Sequence, residues 1–179
     1  VEDSNGTLIC KEDSSMEQPV VSGVMNDENQ AKISIKGVPD QPGIASKFFT
    51  GLADANLSVD MIIQNVSDGN HTDISFTVTK VDMNKATEIV NKLGKLVNAR
   101  EIVSDPNICK VSIVGAGMRS HPGVAAKMFS ALSDEKINIM MISTSEIRVS
   151  CVIDEKYGEL AVRILHKVFN MSLAQEKNN

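Results

Sequence analysis

Tryptophan is missing from this 179-residue chain, tyrosine occurs once and phenylalanine five times. The 42% hydrophobic share therefore rests on Val, Ile, Leu, Met and Ala, which excludes a core organised around aromatic rings. Cysteine is scarce too. Cys10, Cys109 and Cys151 are odd in number and share no close spacing, which argues against a disulfide framework and suits reduced thiols in a cytoplasmic protein. Cys109 and Cys151 fall in strand-like runs and read as small buried thiols. No apolar run approaches the roughly 20 residues of a membrane span, and no signal-peptide pattern opens the chain. A formal net charge of −5 makes nucleic acid and anionic membrane poor partners.

Convergent reactive groups are lacking as well. The three histidines are scattered: His71 in a turn, His121 in a loop and His166 on a helix. Ser120 adjoins His121, but neighbours on an extended chain point apart, so a loop or capping role suits this histidine better than a catalytic one. No Cys/His spacing fits zinc. Gly115 and Gly117 follow a strand and precede a helix, yet the third glycine of a dinucleotide fingerprint is replaced by Ser120. No Walker-type phosphate loop is present. Glu88, Glu155 and Glu159 fall on helix surfaces as solvated charges. Neither a catalytic site, a metal nor a cofactor is expected.

What the chain does contain is a duplication. "KISIKGVPDQPGIASKFFTGLADANLSVDMII" begins at Lys32, and "KVSIVGAGMRSHPGVAAKMFSALSDEKINIMMI" begins at Lys110. Pro42-Gly43 matches Pro122-Gly123, Lys47 matches Lys127, Phe49 matches Phe129 and Leu52 matches Leu132. In the first copy, residues 32–37 alternate as a half-buried strand. Pro42 suits a first helical turn, where its missing N–H would have had no partner. Ile44, Ala45, Phe48, Phe49, Leu52 and Ala55 form one apolar stripe. Strands over 57–66 and 74–78, a helix over 84–95 and a strand over 96–103 complete a β-α-β-β-α-β unit. The second copy repeats it with a strand 109–114, helix 122–135, strands 137–144 and 146–153, and helix 156–170.

The second copy then stops without a final strand, while "PVVSGVM", residues 19–25, is a strand the first copy does not need. The expected fold is α+β, with two ferredoxin-like βαββαβ units, antiparallel sheets and helices on one face. The expected division is a first unit over 26–105, inserted into a discontinuous second unit made of 19–25 plus 106–171. Residues 1–18 read as a linker or the tail of a preceding domain, and 172–179 as a frayed tail. The chain opens on Val1 rather than Met, which suggests an excised piece; Met16 offers a start for a separate subunit.

A helix that begins at Pro-Gly offers unpaired N–H groups and a partial positive charge to a small anion. Gly43 leaves the approach open, and amides near Gly43, Ile44 and Ala45 suit a carboxylate. Asp40, two residues before the proline, suits an ammonium. Together they match the two charges of a free α-amino acid. In the second copy Asp40 is replaced by Ser120, so the first copy is the better ligand holder.

The stretches "PVVSGV", "DQPGIA", "VDMIIQNVS", "KVSIVGAGMRSHPGVAAKMFSAL" and "NIMMISTSEIRVS" resemble the tandem ACT-domain regulatory region of the aspartokinase family, over about residues 16–170. The resemblance implies a pair of ACT units that bind an end-product amino acid, threonine or lysine or both, and feedback-inhibit a kinase domain or catalytic subunit. It implies no cofactor, a homodimer through ACT units, and no phosphorylation of aspartate by this chain alone. "NGTLIC", residues 5–10, would then be the tail of the kinase domain. The implied effector residues are Asp40, Pro42, Gly43, Ile44, Ala45 and Gln64 in the first unit, facing Val124, Ala125, Asn138 and Ile139 of the second. Ser145 and Glu146 resemble positions near a further, lysine-associated site. Other readings are a different amino-acid-sensing ACT subunit, such as the small subunit of acetolactate synthase, or a purely structural dimerisation module.

Overall fold

A computed structural model describes residues 20–171, apart from 68, 117, 119, 120 and 122. Strand β1 runs unbroken from Gly23 to Pro39. It is followed by helix α1 (Ile44–Asp54), strands β2 (Ile62–Ser67) and β3 (His71–Thr79), and helix α2 (Met83–Leu96). Strand β4 (Glu101–Val114) leads into α3 (Val124–Asp134), β5 (Met141–Thr144), β6 (Arg148–Asp154) and α4 (Gly158–Val168). Single turns of 3-10 helix, Lys80–Asp82 and Glu155–Tyr157, introduce α2 and α4 at equivalent points of the two repeats.

The six strands form one antiparallel sheet in the order β2-β3-β1-β4-β6-β5, rather than a separate sheet for each repeat. The cause is the length of β1 and β4, which each serve both repeats. Gln30–Lys36 of β1 pairs with Glu101–Ile108 of β4, whereas Gly23–Asp27 pairs with Lys110–Val114. The Gln30–Pro39 stretch of β1 pairs with β3 on its other side. Between the two zones the register slips twice, at Asp27/Gln30 and at Gln30/Lys32. Pro106 lies opposite this region with no N–H to give, and the Asn107 N–H bonds the Asp105 side chain at 2.9 Å instead. These irregularities bend the long strands where one repeat passes into the other.

The edge strand of the second repeat thus comes from the start of the described chain. It begins at Gly23, later than the 19–25 expectation, but Ser22 already donates its N–H to the Val114 carbonyl at 2.8 Å. The backbone at Val20 and Val21 presses so closely on Gly115 that any Cβ there would overlap the Val20 carbonyl oxygen. The glycine that resembles part of a nucleotide fingerprint therefore has a packing role. Residues 1–18 and 172–179 lie outside the described residues.

Several strands start later than their apolar patterns suggest, for one shared reason. Each connecting helix closes with a residue in the left-handed conformation, Asn56 after α1 and Lys136 after α3. The next N–H then bonds back into the helix: Leu57 to Leu52 at 3.0 Å, Ile137 to Leu132 at 2.9 Å. Those apolar residues belong to the helix stop, so β2 begins at Ile62 and β5 at Met141. Likewise Val97 donates back to Leu93 and Gly94, and β4 begins at Glu101.

Each helix pair buries its stripe on its own part of the sheet. In the first repeat, Phe48 and Leu52 of α1 and Ala86 and Val90 of α2 meet Ile33, Ile35, Ile74 and Phe76. In the second, Met128 and Leu132 of α3 and Ala161 and Leu165 of α4 meet Val111, Ile113, Cys151 and Ile153. Phe49 and Phe76 meet edge to face at 5.5 Å, the only ring pair among the described residues. A third, smaller cluster lies on the helix-free face and joins Met61 and Ile63 of the first repeat to Ile108, Met141 and Val152 near and within the second.

Two outcomes follow. Gly115→Ala should lower the thermal midpoint sharply, since backbone rather than a flexible side chain must yield; an unchanged midpoint would show that residues 20–21 do not pack there. Burial, with the Glu28 carboxylate nearby, pushes the Cys109 thiol up to about 11, and burial pushes Cys151 up to about 12. A Cys10→Ser variant should thus give almost no reaction with a disulfide reagent at pH 8 until denaturant is added. Rapid reaction of the folded variant would contradict this packing.

Candidate functional site

The β1–α1 and β4–α3 connections place a glycine at the same point of each repeat. Gly43 caps α1 with φ 92°, and Gly123 caps α3 with φ 100°, both in the left-handed region. A Cβ at either would meet nothing within 4 Å, so space does not demand glycine; the backbone angle does. Neither helix has a side-chain cap or an acidic residue in its first turn. Ser120 and Pro122 of the second connection lie outside the described residues.

At the α1 mouth the hydrogen bonds can be followed one by one. The Ile44 N–H is taken by the Gln41 carbonyl at 3.3 Å, and the Lys47 N–H makes the first helical bond, to Gly43, at 3.0 Å. Among the described residues, the amides of Gly43, Ala45 and Ser46 carry no bond. The structure thus moves the open donors from the expected trio to one that omits Ile44 and includes Ser46. Nothing in the sequence distinguishes those sets, because the difference lies in one turn bond. Ile44 instead sends its side chain into the first core, at 7% exposure.

Asp40, Pro42 and Gly43 are exposed and Ala45 is half-buried. The Asp40 N–H bonds the Asn70 carbonyl at 2.8 Å, which fixes this loop against the β2–β3 turn. Gln64 lies on β2, opposite Ile74 of β3, with its side chain exposed. In the second repeat, Val124, Ala125 and Ile139 pack against the second core and are half-buried, and Asn138 is exposed. Asn138 and Ile139 line a shallow cleft of about 480 Å³ with Phe129, Ser133, Lys136 and Ile137. None of the described cavities holds residues of both expected sets. At the α1 mouth Asp40, Pro42 and Gly43 face solvent, and no described cavity joins them to residues of the second repeat.

Ser145 and Glu146 are exposed in the β5–β6 turn. Ser145 lines a second cleft of about 480 Å³ on the helix-free face, between Asp60, Met61 and Ile62 on one side and Lys110, Ser143, Thr144, Arg148 and Ser150 on the other. Sequence reasoning did not single out Asp60, Lys110 or Arg148, since their proximity follows from the bend in the sheet. Among the described residues, no group of three His, Cys, Asp and Glu side chains gathers as a metal would need. No helix among them is long and apolar enough to cross a membrane.

Known proteins place this arrangement. A family model described as ACT domain matches twice, over residues 33–93 and 111–169, one match for each repeat. The chain is 55% identical over 168 residues to an aspartokinase of Pseudomonas aeruginosa, covering 93% of this chain and 41% of that protein. It thus spans about two fifths of the length of the curated aspartokinases it matches. A crystal structure of aspartokinase alpha and beta subunits contains a chain 55% identical, with a TM-score of 0.79, covering 84% of this chain and 99% of that one. The ligand-free regulatory subunit of aspartate kinase from Thermus thermophilus is 43% identical with a TM-score of 0.80, again covering 84% and 99%. With both repeats matched and chains of its own extent among its relatives, the chain belongs to the ACT-domain family, as a tandem pair of the aspartokinase regulatory type.

Proposed function

We propose that this chain is the effector-binding module of an aspartokinase. It binds an end-product amino acid, threonine or lysine or both, and through it feedback-inhibits a kinase domain or catalytic subunit. The observation that carries this reading is the α1 mouth, where three unbonded amides and an uncompensated helix N-terminus lie beside the exposed carboxylate of Asp40. The amides of Gly43, Ala45 and Ser46 suit the ligand carboxylate, and Asp40 suits its ammonium. The Gln64 amide, able to donate and accept, suits a side-chain hydroxyl or ammonium.

A water-exposed charge pair is worth little, so such a site needs a second wall. Val124, Ala125, Asn138 and Ile139 of a second copy would supply it, which makes the working form a homodimer with units from different chains side by side. Ser145 and Glu146 would serve a further effector site. For the domain division, 26–105 is read as one unit and 19–25 plus 106–171 as the other; the pairing of Gly23–Asp27 with Lys110–Val114 supports it. Inhibition then follows by population shift. The effector binds the inhibited arrangement more tightly than the active one, with a typical coupling of about 1–3 kcal/mol.

Calorimetry with threonine and with lysine tests the reading. Heat is expected with at least one of them at millimolar concentration or below, and silence with both would overturn it. Asp40→Ala and Gln64→Ala should each weaken that binding about tenfold to a hundredfold, the loss of one charge-assisted or buried hydrogen bond. Both side chains are exposed, so the melting midpoint of the free protein should not change. Sedimentation should show the effector favouring the dimer, because a ligand held between chains binds only the associated state; dissociation on adding effector would contradict the shared site.

A further inference from the structure

Lys110 occupies the helix-free face of β4, directly opposite Asp27 in the ladder with β1. Its side chain is only 13% exposed, and it has two carboxylate partners of different kinds. Asp27 is fixed in the sheet. Its Oδ1 accepts the Asn29 N–H and its Oδ2 accepts the Gln30 side-chain amide, both at 2.9 Å. Lys110 Nζ stands 3.8 Å from that same Oδ2. Asp60, which bonds Lys110 directly, is 48% exposed and lies in the irregular stretch between α1 and β2. Its N–H bonds the Thr77 carbonyl of β3 at 3.0 Å, but its side chain lines the helix-free cleft, so the carboxylate has room to swing away while the main chain stays put.

Gln30 supplies the independent observation. It is 8% exposed, and its Oε1 is the one buried side-chain nitrogen or oxygen without a hydrogen-bond partner among the described residues. Its amide nitrogen meets the same Asp27 oxygen that Lys110 approaches, so the idle acceptor and the ammonium belong to one cluster around that carboxylate. A buried acceptor left idle is costly, as is a buried ammonium deprived of its partner. One movement would relieve both.

We infer that Lys110 is a two-position latch between the repeats. It bonds Asp60 in the arrangement described here. When Asp60 withdraws, the ammonium turns inward to Asp27 and the idle oxygen of Gln30. Asp60 stands four residues before Gln64 on the same approach to β2. The latch therefore lets β2 shift against β4 without stranding a charge. A role in carrying the effector signal from one repeat to the other rests on the proposed function; the exchange of partners does not.

Amine acetylation of the intact chain without effector, read residue by residue by mass spectrometry, tests the exchange. Lys95, exposed on α2, serves as the internal reference. Lys110 should be labelled at least about tenfold more slowly than Lys95 in the unaltered protein, and should stay protected in Asp60→Asn because it turns inward. Adding Asp27→Asn to Asp60→Asn, which removes both carboxylates, should raise its labelling severalfold above that of the single variant. A large rise in Asp60→Asn alone would overturn the latch, and so would a double variant no more reactive than the single one. Because Asp60→Asn alters a half-exposed side chain, the single-variant comparison stands even if Asp27→Asn disturbs folding. Thermal melts of each variant identify such a disturbance.

Discussion

The pairing of β1 with β4 is the interaction on which the rest of the molecule depends. Each of these strands passes through both repeats, and the ladder between them runs from Gly23↔Val114 to Lys36↔Glu101. Two units that could otherwise have been joined by a flexible tether become one sheet. The register slips near Gln30 and the proline at position 106 then set the bend between them. That bend brings Asp60 and Met61 of the first repeat over Lys110 and Val152 of the second, which creates both the helix-free cleft and the charged contact within it. On the other side of the join, Lys80 and Glu155 meet at 2.5 Å from equivalent 3-10 turns. The pair is about one-third exposed and contributes little by itself. Its value is as a marker that the equivalent corners of the repeats lie together.

Duplication has preserved the helix mouths with more fidelity than the residues around them. Gly43 and Gly123 have nearly the same backbone angles, and both helices begin without a cap. A helix commonly recruits a side chain to its N-terminus, although glycine in that place gives up only about a few tenths of a kcal/mol. Omitting it twice, in exposed loops, fits a position kept open for an external anion. Asp40 beside the first mouth makes that copy suited to a zwitterion. The exposure of the mouth in a single chain fits the proposed sealing of a ligand by association, under which effector binding and assembly would share one equilibrium.

Much of this was legible in the residues. The repeat was visible as matched Pro-Gly helices, the helical stripes named the core faces correctly, and the missing last strand pointed to the N-terminal segment. What was not legible came from geometry beyond the local pattern. Leu57 and Ile137 look like strand residues because they are apolar, yet each closes a helix through a left-handed neighbour. The fusion of "GVM", residues 23–25, and "KISIKG" into one strand was hidden by the polar run between them, where the ladder slips in register without breaking. The Ile44 amide was counted as a free donor because a single turn bond to Gln41 has no signature in the residues. Lys110, Asp60 and Gln30 carry no motif at all, and only the bent sheet brings them together.

The most direct measurement is an amide-resolved NMR titration of the isotopically labelled chain with threonine and with lysine. Saturable shifts centred on the amides of Gly43, Ala45 and Ser46, with smaller ones at Asn138 and Ile139, are the predicted result. Binding that leaves those three amides unmoved while perturbing others would show that the uncapped helix is not where the amino acid is held.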